Sequence, residues 1–211
     1  MLKVGLTGGL ACGKSFVARE LEVLGCYVIH ADALGHAVLA RGGEAFEPVV
    51  ASFGTEILDS DGAIVRARLA AIAFSDPEKL ATLNGIVHPA VRRREDALIA
   101  EIARSEPSAI AVVEAAILIE AGLRERFDAM VLVACGEARQ VERALARDPK
   151  ATREDVLRRM QRQMPLAEKR RFADFVIDSS GTQEETLRQT RELYFSLRQR
   201  AAQIGVADLS K

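Results

Sequence analysis

The first fifteen residues commit the chain to one kind of beginning. Gly8-Gly9-Leu10-Ala11-Cys12-Gly13-Lys14-Ser15 fits the pattern G-x-x-x-x-G-K-[ST]. Leu2 to Thr7 before it form a short apolar, β-prone run, and Phe16 to Leu24 after it carry Val17, Leu21 and Leu24 at helical spacing. Strand, glycine loop and helix are the context in which this pattern binds phosphate. The loop lets backbone N–H groups from Gly8, Gly9, Ala11, Cys12, Gly13, Lys14, Ser15 and Phe16 gather around phosphate oxygens. The helix start adds the positive end of its dipole. Lys14 is placed to neutralise the β- and γ-phosphates, and the Ser15 hydroxyl to ligate Mg²⁺. An ordinary glycine-rich turn leaves the flanking strand and helix unexplained, so the segment predicts a bound nucleoside triphosphate, ATP, with Mg²⁺.

Such a start continues into an α/β fold. Five apolar runs read as buried strands: Leu2–Thr7, Tyr27–His30, Ala109–Glu114, Ala129–Ala134 and Phe175–Asp178. Helical patterns separate most of them, which predicts a doubly wound, five-stranded, mostly parallel sheet with helices on both faces. The gap between the second and third runs is too long for one crossover. It holds helical stretches and the turn-rich patch Leu58-Asp59-Ser60-Asp61-Gly62, so residues 32–90 read as an inserted helical subdomain for the phosphate acceptor. Pro77 reads as the first turn of a helix capped by Ser75 or Asp76, and Gln183–Ile204 as a C-terminal amphipathic helix. Residues 1–31, 91–136 and 167–211 remain as the nucleotide-binding core.

Charge singles out one further segment. Between Glu137 and Arg171 there are eleven Lys or Arg against six Asp or Glu, a local excess of five positive charges in a chain whose net charge is −1. Arg139, Arg143 and Arg147 recur at i, i+4 and i+8 on one helix face. Two readings stand: a solvated helix face, or a lid over residues 137–166 that brings cationic groups to transferring phosphates. The phosphate loop upstream favours the lid.

For the acceptor side, Asp32 is the candidate. The helix from Lys14 to Leu24 rises about 15 Å, and the run from Cys26 to Ala31 returns about as far. Asp32 then emerges at the carboxyl edge of the sheet, where open α/β sheets bind ligands. A carboxylate there can accept the hydrogen bond of an attacking hydroxyl and aim it at the γ-phosphate; capping the helix Ala33–Leu39 is the alternative, and both can hold together. Glu114 and Glu120 are candidates to assist the metal through water, or to sit as carboxylates at a helix start. Asp59 and Asp61 read as turn formers, and His30, His36 and His88 as structural. Cys12 is either a small filler or an oxidation-sensitive thiol.

Composition removes other classes. A chain of 211 residues suits one α/β domain with insertions. Its charge balance gives no electrostatic case for nucleic acid or a membrane surface, and with no Trp and 5% aromatics it lacks stacking platforms. No apolar run approaches a membrane span, no signal peptide is visible, and three cysteines without zinc spacing suggest reduced thiols; together these predict a cytoplasmic protein. Asp59-Ser60-Asp61-Gly62 formally fits the D-x-x-G of GTP-driven switches. It does not end a buried strand, and no N-K-x-D guanine-reading sequence is present.

The residues resemble the dephospho-coenzyme A kinase family over nearly the whole chain. The resemblance is carried by Val4-Gly5-Leu6-Thr7-Gly8-Gly9, Gly13-Lys14-Ser15, Asp32 within Val28-Ile29-His30-Ala31-Asp32, and Phe53-Gly54 through Asp61-Gly62. Further matches are Leu83-Asn84-Gly85-Ile86-Val87-His88-Pro89, Glu120-Ala121-Gly122-Leu123, Gln140 to Arg143 with Arg147-Asp148, Gln163, Lys169, and Ala173 to Asp178. It implies a nucleoside-kinase-like core, a CoA-binding subdomain and a lid, with ATP and dephospho-CoA converted to ADP and CoA by phosphorylation of a 3′-hydroxyl. By that resemblance Asp32 corresponds to the proposed base, Arg143 to the lid arginine, and Arg147 to a second one. Two places depart from the family pattern: the loop interior Leu10-Ala11-Cys12, usually glycine-rich with a serine, and Ala116-Ile117-Leu118-Ile119-Glu120, usually Pro-Leu-Leu-Phe-Glu. A kinase acting on another nucleoside, nucleotide or small hydroxyl acceptor is the alternative, and a silent regulator is disfavoured by Lys14, Ser15, Asp32 and Arg143 occurring together.

Overall fold

A computed structural model describes residues 1–208, with side chains through Gln203. The five strands are β1 (Leu2–Gly8), β2 (Tyr27–His30), β3 (Ile110–Glu114), β4 (Ala129–Ala134) and β5 (Phe175–Asp178). They form one all-parallel sheet in the order β2-β3-β1-β4-β5. In register, Leu2 faces Ile110, Leu6 faces Glu114, Val4 faces Ala129 and Val131 faces Phe175. The expected sheet was mostly parallel, and it contains no reversed strand; α-helices join β1 to β2, β2 to β3 and β4 to β5, while turns and the short 3-10 segment Arg124–Arg126 join β3 to β4.

β1 lies centrally, and Leu2, Val4 and Leu6 are fully buried. Their face of the sheet packs with Val17, Ala18 and Leu21 of α1 (Lys14–Val23) and with Leu193 and Leu197 of α9 (Gln183–Asp208). On the opposite face Gly5 is required: a Cβ there would lie 2.8 Å from Met130 Cε and 3.0 Å from Phe127. Carboxylates fasten the strand starts. Asp128 Oδ2 accepts the Lys3 N–H at 2.7 Å, and Asp174 Oδ2 accepts the Met130 N–H at 2.7 Å while pairing with Arg124 at 2.9 Å.

The described residues divide into two compact units, Met1–Ile29 with the described residues from Glu101 onward, and His30–Ala100. The smaller holds α2 (Ala31–Leu39), α3 (Phe46–Phe53), α4 (Arg66–Ala73) and most of α5 (Pro77–Ser105). Its own core is Val38, Val49, Phe53, Ile57, Leu69, Ala73 and Ala90. The turn-rich patch closes a small antiparallel bridge between Leu58 and Ile64. Asp59 Oδ1 accepts the N–H groups of Asp61 and Ala63, and Gly62 takes a φ of +73° that suits glycine. That arrangement is a turn, far in character from a switch sequence ending a buried strand.

The larger unit also carries α6 (Glu137–Arg147), α7 (Arg153–Gln161) and α8 (Leu166–Lys169). At Pro77 the N-cap is Asp76, whose Oδ1 accepts the Glu78 N–H at 2.9 Å; Ser75 instead donates to the Ile72 carbonyl. α5 runs unbroken through Pro89 to Ser105. A helix-interior proline removes one N–H donor, here the one that would serve Gly85, and the remaining turns carry the helix past it.

Candidate active site

The phosphate loop is built by close approach. A Cβ on Gly8 would sit 2.6 Å from the Val133 carbonyl oxygen, and one on Gly9 would sit 2.6 Å from Gln140 Oε1 and 3.0 Å from Cys12 Sγ. Gly13, at φ +82°, caps α1 in the left-handed region, and Ala11 occupies the same region at φ +55°. The Phe16 and Val17 N–H groups turn back to the Gly13 carbonyl at 3.0 and 3.2 Å. The departure at Leu10-Ala11 has a packing reason. Both side chains lie against the small apolar cluster of Val141, Ala144 and Val156, which joins α6 to α7.

Lys14 and Ser15 converge on a single oxygen. Lys14 Nζ donates to Glu114 Oε1 at 2.6 Å, and Ser15 Oγ donates to the same atom at 2.7 Å. Glu114 ends β3 and is buried, so its charge is held by the ammonium and the hydroxyl rather than by water. Glu120 is engaged elsewhere. Its Oε1 pairs with Lys169 Nζ at 2.8 Å and accepts the Met164 N–H at 3.1 Å. Lys169 is 0% exposed and also donates to the Ala116 carbonyl, which Thr7 Oγ1 reaches at 3.1 Å. Among the described residues no three His, Cys, Asp or Glu side chains gather into a metal cage. The donor set beside Lys14, one hydroxyl and one carboxylate, fits Mg²⁺, which keeps waters and shares phosphate oxygens.

α6 reaches the loop from the other side. Arg143 is half-buried, and its Nη2 donates to the Ser179 carbonyl at 2.8 Å. The Ser179 hydroxyl in turn donates to the Cys12 carbonyl at 2.6 Å, which links α6, the turn after β5 and the phosphate loop. Arg139 pairs with Glu142 at 3.0 Å and reaches the Ser180 carbonyl at 3.3 Å, while Arg147 is exposed at the end of α6. A cavity of about 560 Å³ opens beside Gly9, lined by Cys135, Gln140, Leu157, Met160 and Leu166. Cys135 Sγ lies 3.4 Å from Cys12 Sγ.

Asp32 stands in the smaller unit, exposed, in the first turn of α2. His30 holds the N-cap position and makes no side-chain cap bond, so capping is not the role of Asp32. His36 meets Arg66, and the Asp61 carbonyl accepts from Arg41 at 2.7 Å. A cavity of about 350 Å³ in this unit is lined by Phe53, Gly54, Glu56, Ile72, Lys79 and Thr82.

Ser179, Gln140 and the buried Lys169 escaped the reading of the sequence as parts of one site. Ser179 follows β5 in a stretch whose serines look like turn formers. Lys169 lies in a basic run, where nothing marks one lysine for burial.

Comparison with known proteins places this geometry. The family model described as dephospho-CoA kinase matches residues 2–185. The dephospho-CoA kinase of Geobacter metallireducens is 43% identical over 194 residues, covering 92% of this chain and 96% of that protein. That of Aquifex aeolicus is 39% identical over 197 residues, covering 93% and 98%. The crystal structure of TT1252 from Thermus thermophilus superposes with a TM-score of 0.79 at 33% identity, covering 92% of this chain and 96% of that one. A phosphate loop on the central strand of this sheet, matched over nearly its full length by such relatives, identifies the chain as a member of the dephospho-CoA kinase family.

Proposed function

We propose that this protein transfers the γ-phosphoryl group of ATP to the 3′-hydroxyl of dephospho-CoA, giving CoA and ADP. The observation that carries the reading is the convergence of Lys14 and Ser15 on Glu114 at the end of β3, inside a chain that belongs to this family throughout. Amides of Gly8, Gly9, Ala11, Cys12, Gly13 and Phe16 surround the phosphates, and Lys14 exchanges its carboxylate partner for the β- and γ-oxygens. Ser15, backed by Glu114, would hold Mg²⁺, which when bound would neutralise phosphate charge.

The transition state of such a transfer is loose, so positioning outweighs strong basicity. Asp32 accepts the hydrogen bond of the attacking hydroxyl and aims it; its support is an exposed carboxylate two residues beyond the carboxyl end of β2. Arg143, anchored on Ser179, and the exposed Arg147 supply positive charge from residues 137–166, which act as the lid. Residues 32–90 hold the acceptor. Both partners are small molecules. A thermal-shift titration tests the acceptor directly. With a non-hydrolysable ATP analogue present, dephospho-CoA is expected to raise the melting temperature at micromolar concentration. An equal or larger rise with free nucleosides, and none with dephospho-CoA, would reassign the acceptor.

A further inference from the structure

Two of the three thiols lie in contact, and one of them sits inside the phosphate loop. We propose that Cys135 is a hydroperoxide-reactive modification site, and that Cys12 resolves its oxidised form as an intramolecular disulfide that closes the nucleotide site. The two sulfurs are 3.4 Å apart in the reduced protein, and a disulfide needs about 2.05 Å.

The surroundings divide the labour between the two sulfurs. Cys135 borders two cavities, of about 560 and 420 Å³, which give a small oxidant a way in. A hydrogen bond from Cys12, with the Arg143 guanidinium and the Ser179 hydroxyl, lowers the Cys135 thiol against the opposing effect of burial. Of the two sulfurs, Cys135 is therefore the one whose surroundings favour the thiolate, the nucleophilic form. Cys12 is 1% exposed, and its contact with Cys135 and its burial push its thiol upward. Cys26 is an internal control: burial pushes it up to about 12, and it has no thiol neighbour.

The chemistry balances. The Cys135 thiolate attacks one peroxide oxygen, the O–O bond breaks, and the products are a sulfenic acid and hydroxide, which takes up a proton as water. The Cys12 sulfur then attacks the Cys135 sulfur, the S–O bond breaks, and the hydroxyl leaves as water with the Cys12 proton. Two thiols lose two electrons and one hydroperoxide is reduced.

The link draws Cys12 toward the turn after β4 while its carbonyl is held by Ser179, so the displacement falls on the loop itself. Gly9 is tied to that movement, because its carbonyl accepts the Cys12 N–H at 3.3 Å. The amides that wrap the phosphates are thereby displaced.

The inactivation rests on the proposed nucleotide site; the cross-link does not. The full-length reduced protein is treated with graded hydrogen peroxide, alkylated, and mapped by mass spectrometry without reduction. The expected result is a joined Cys12–Cys135 peptide lighter by two hydrogens, with Cys26 alkylated. ATP affinity, read by calorimetry, is expected to fall by about tenfold or more and to return with dithiothreitol. Cys135→Ser is expected to keep the affinity of the reduced protein and to yield neither the joined peptide nor the loss. Separate alkylation of Cys12 and Cys135 after peroxide, over-oxidation without joining, or a joined peptide with unchanged ATP affinity would each overturn the proposal. Peroxide-sensitive ATP binding without phosphorylation of dephospho-CoA would overturn the acceptor reading and leave this one standing.

Discussion

Glu114 Oε1 holds both an ammonium and a hydroxyl that a bound triphosphate would claim. With Lys14 13% and Glu114 5% exposed, the pair is shielded enough that each charge depends on the other. Lys14→Ala is expected to lower kcat by about 100-fold or more, the scale on which a lost charge contact to the reacting group acts. Wild-type turnover in that variant, measured by ADP release, would remove Lys14 from the reaction. Glu114→Gln is expected to raise the Mg²⁺ concentration needed for half-maximal rate, because the Ser15 side of the site loses its backing carboxylate; a metal titration at fixed ATP reads this. Lys169 is a different case. Fully buried against Glu120 and the Ala116 carbonyl, it braces the segment after β3. Lys169→Met is expected to cost about 3–5 kcal/mol in urea unfolding, the usual consequence of leaving one buried ion alone. At this scale the motif residues Gly8 to Ser15 were legible from spacing alone. Their partners were not: Glu114 stood level with Glu120 until the register placed it beside β1, and Ser179 approaches Cys12 only through folding.

α7 owes its start to a capping box: the Thr152 hydroxyl accepts the Asp155 N–H, and the Asp155 carboxylate accepts the Thr152 N–H. Thr152→Ala is expected to destabilise this element by about 1 kcal/mol, visible as faster amide exchange across Arg153–Gln161. The hydrogen bonds from the Thr152 hydroxyl and amide hold Asp155 below its ordinary value of 3.8, and those of Ser180 do the same for Asp178. A carboxyl depressed by folding contributes stability that is present above its unfolded value and lost as pH falls through the folded one. Protection of α7 is therefore expected to hold at pH 5 and above, and to fall once the pH drops below about 4. Asp155→Asn should flatten that loss, and an unchanged slope would assign it elsewhere. Elements were the most readable level of this chain. β2, β4 and β5 coincide with the apolar runs read as strands, and Asp76-Pro77 marks a helix start by a mechanism that needs no tertiary contact. Tertiary contacts were not readable at this level: Arg143 is drawn partly out of solvent by a carbonyl 36 residues away.

The whole molecule consists of two units with separate apolar cores, one around the parallel sheet and one around Val49, Phe53 and Leu69. The sheet order follows from the chain. A phosphate loop on the first strand demands that β1 be central and buried, and its flanks are filled by strands of the same apolar type. The extent of the smaller unit was not legible to the residue, because α5 is continuous across residue 90 and composition does not change there. No helix among the described residues is long and apolar enough to cross a membrane. Leu10 and Ala11, which look anomalous inside a phosphate loop, make sense only at this scale, as the contact between the loop and the α6–α7 pair. The central claim is that a triphosphate held by Lys14 and Ser15 is attacked by an alcohol aimed by Asp32. It is tested most directly by coupled ADP release with ATP and dephospho-CoA, run beside Asp32→Ala. The account expects acceptor-dependent ADP with CoA as the phosphorylated product, and an Asp32→Ala variant slowed by about 100-fold or more at nearly unchanged ATP affinity; ADP release indifferent to dephospho-CoA, or full turnover in the variant, would contradict it.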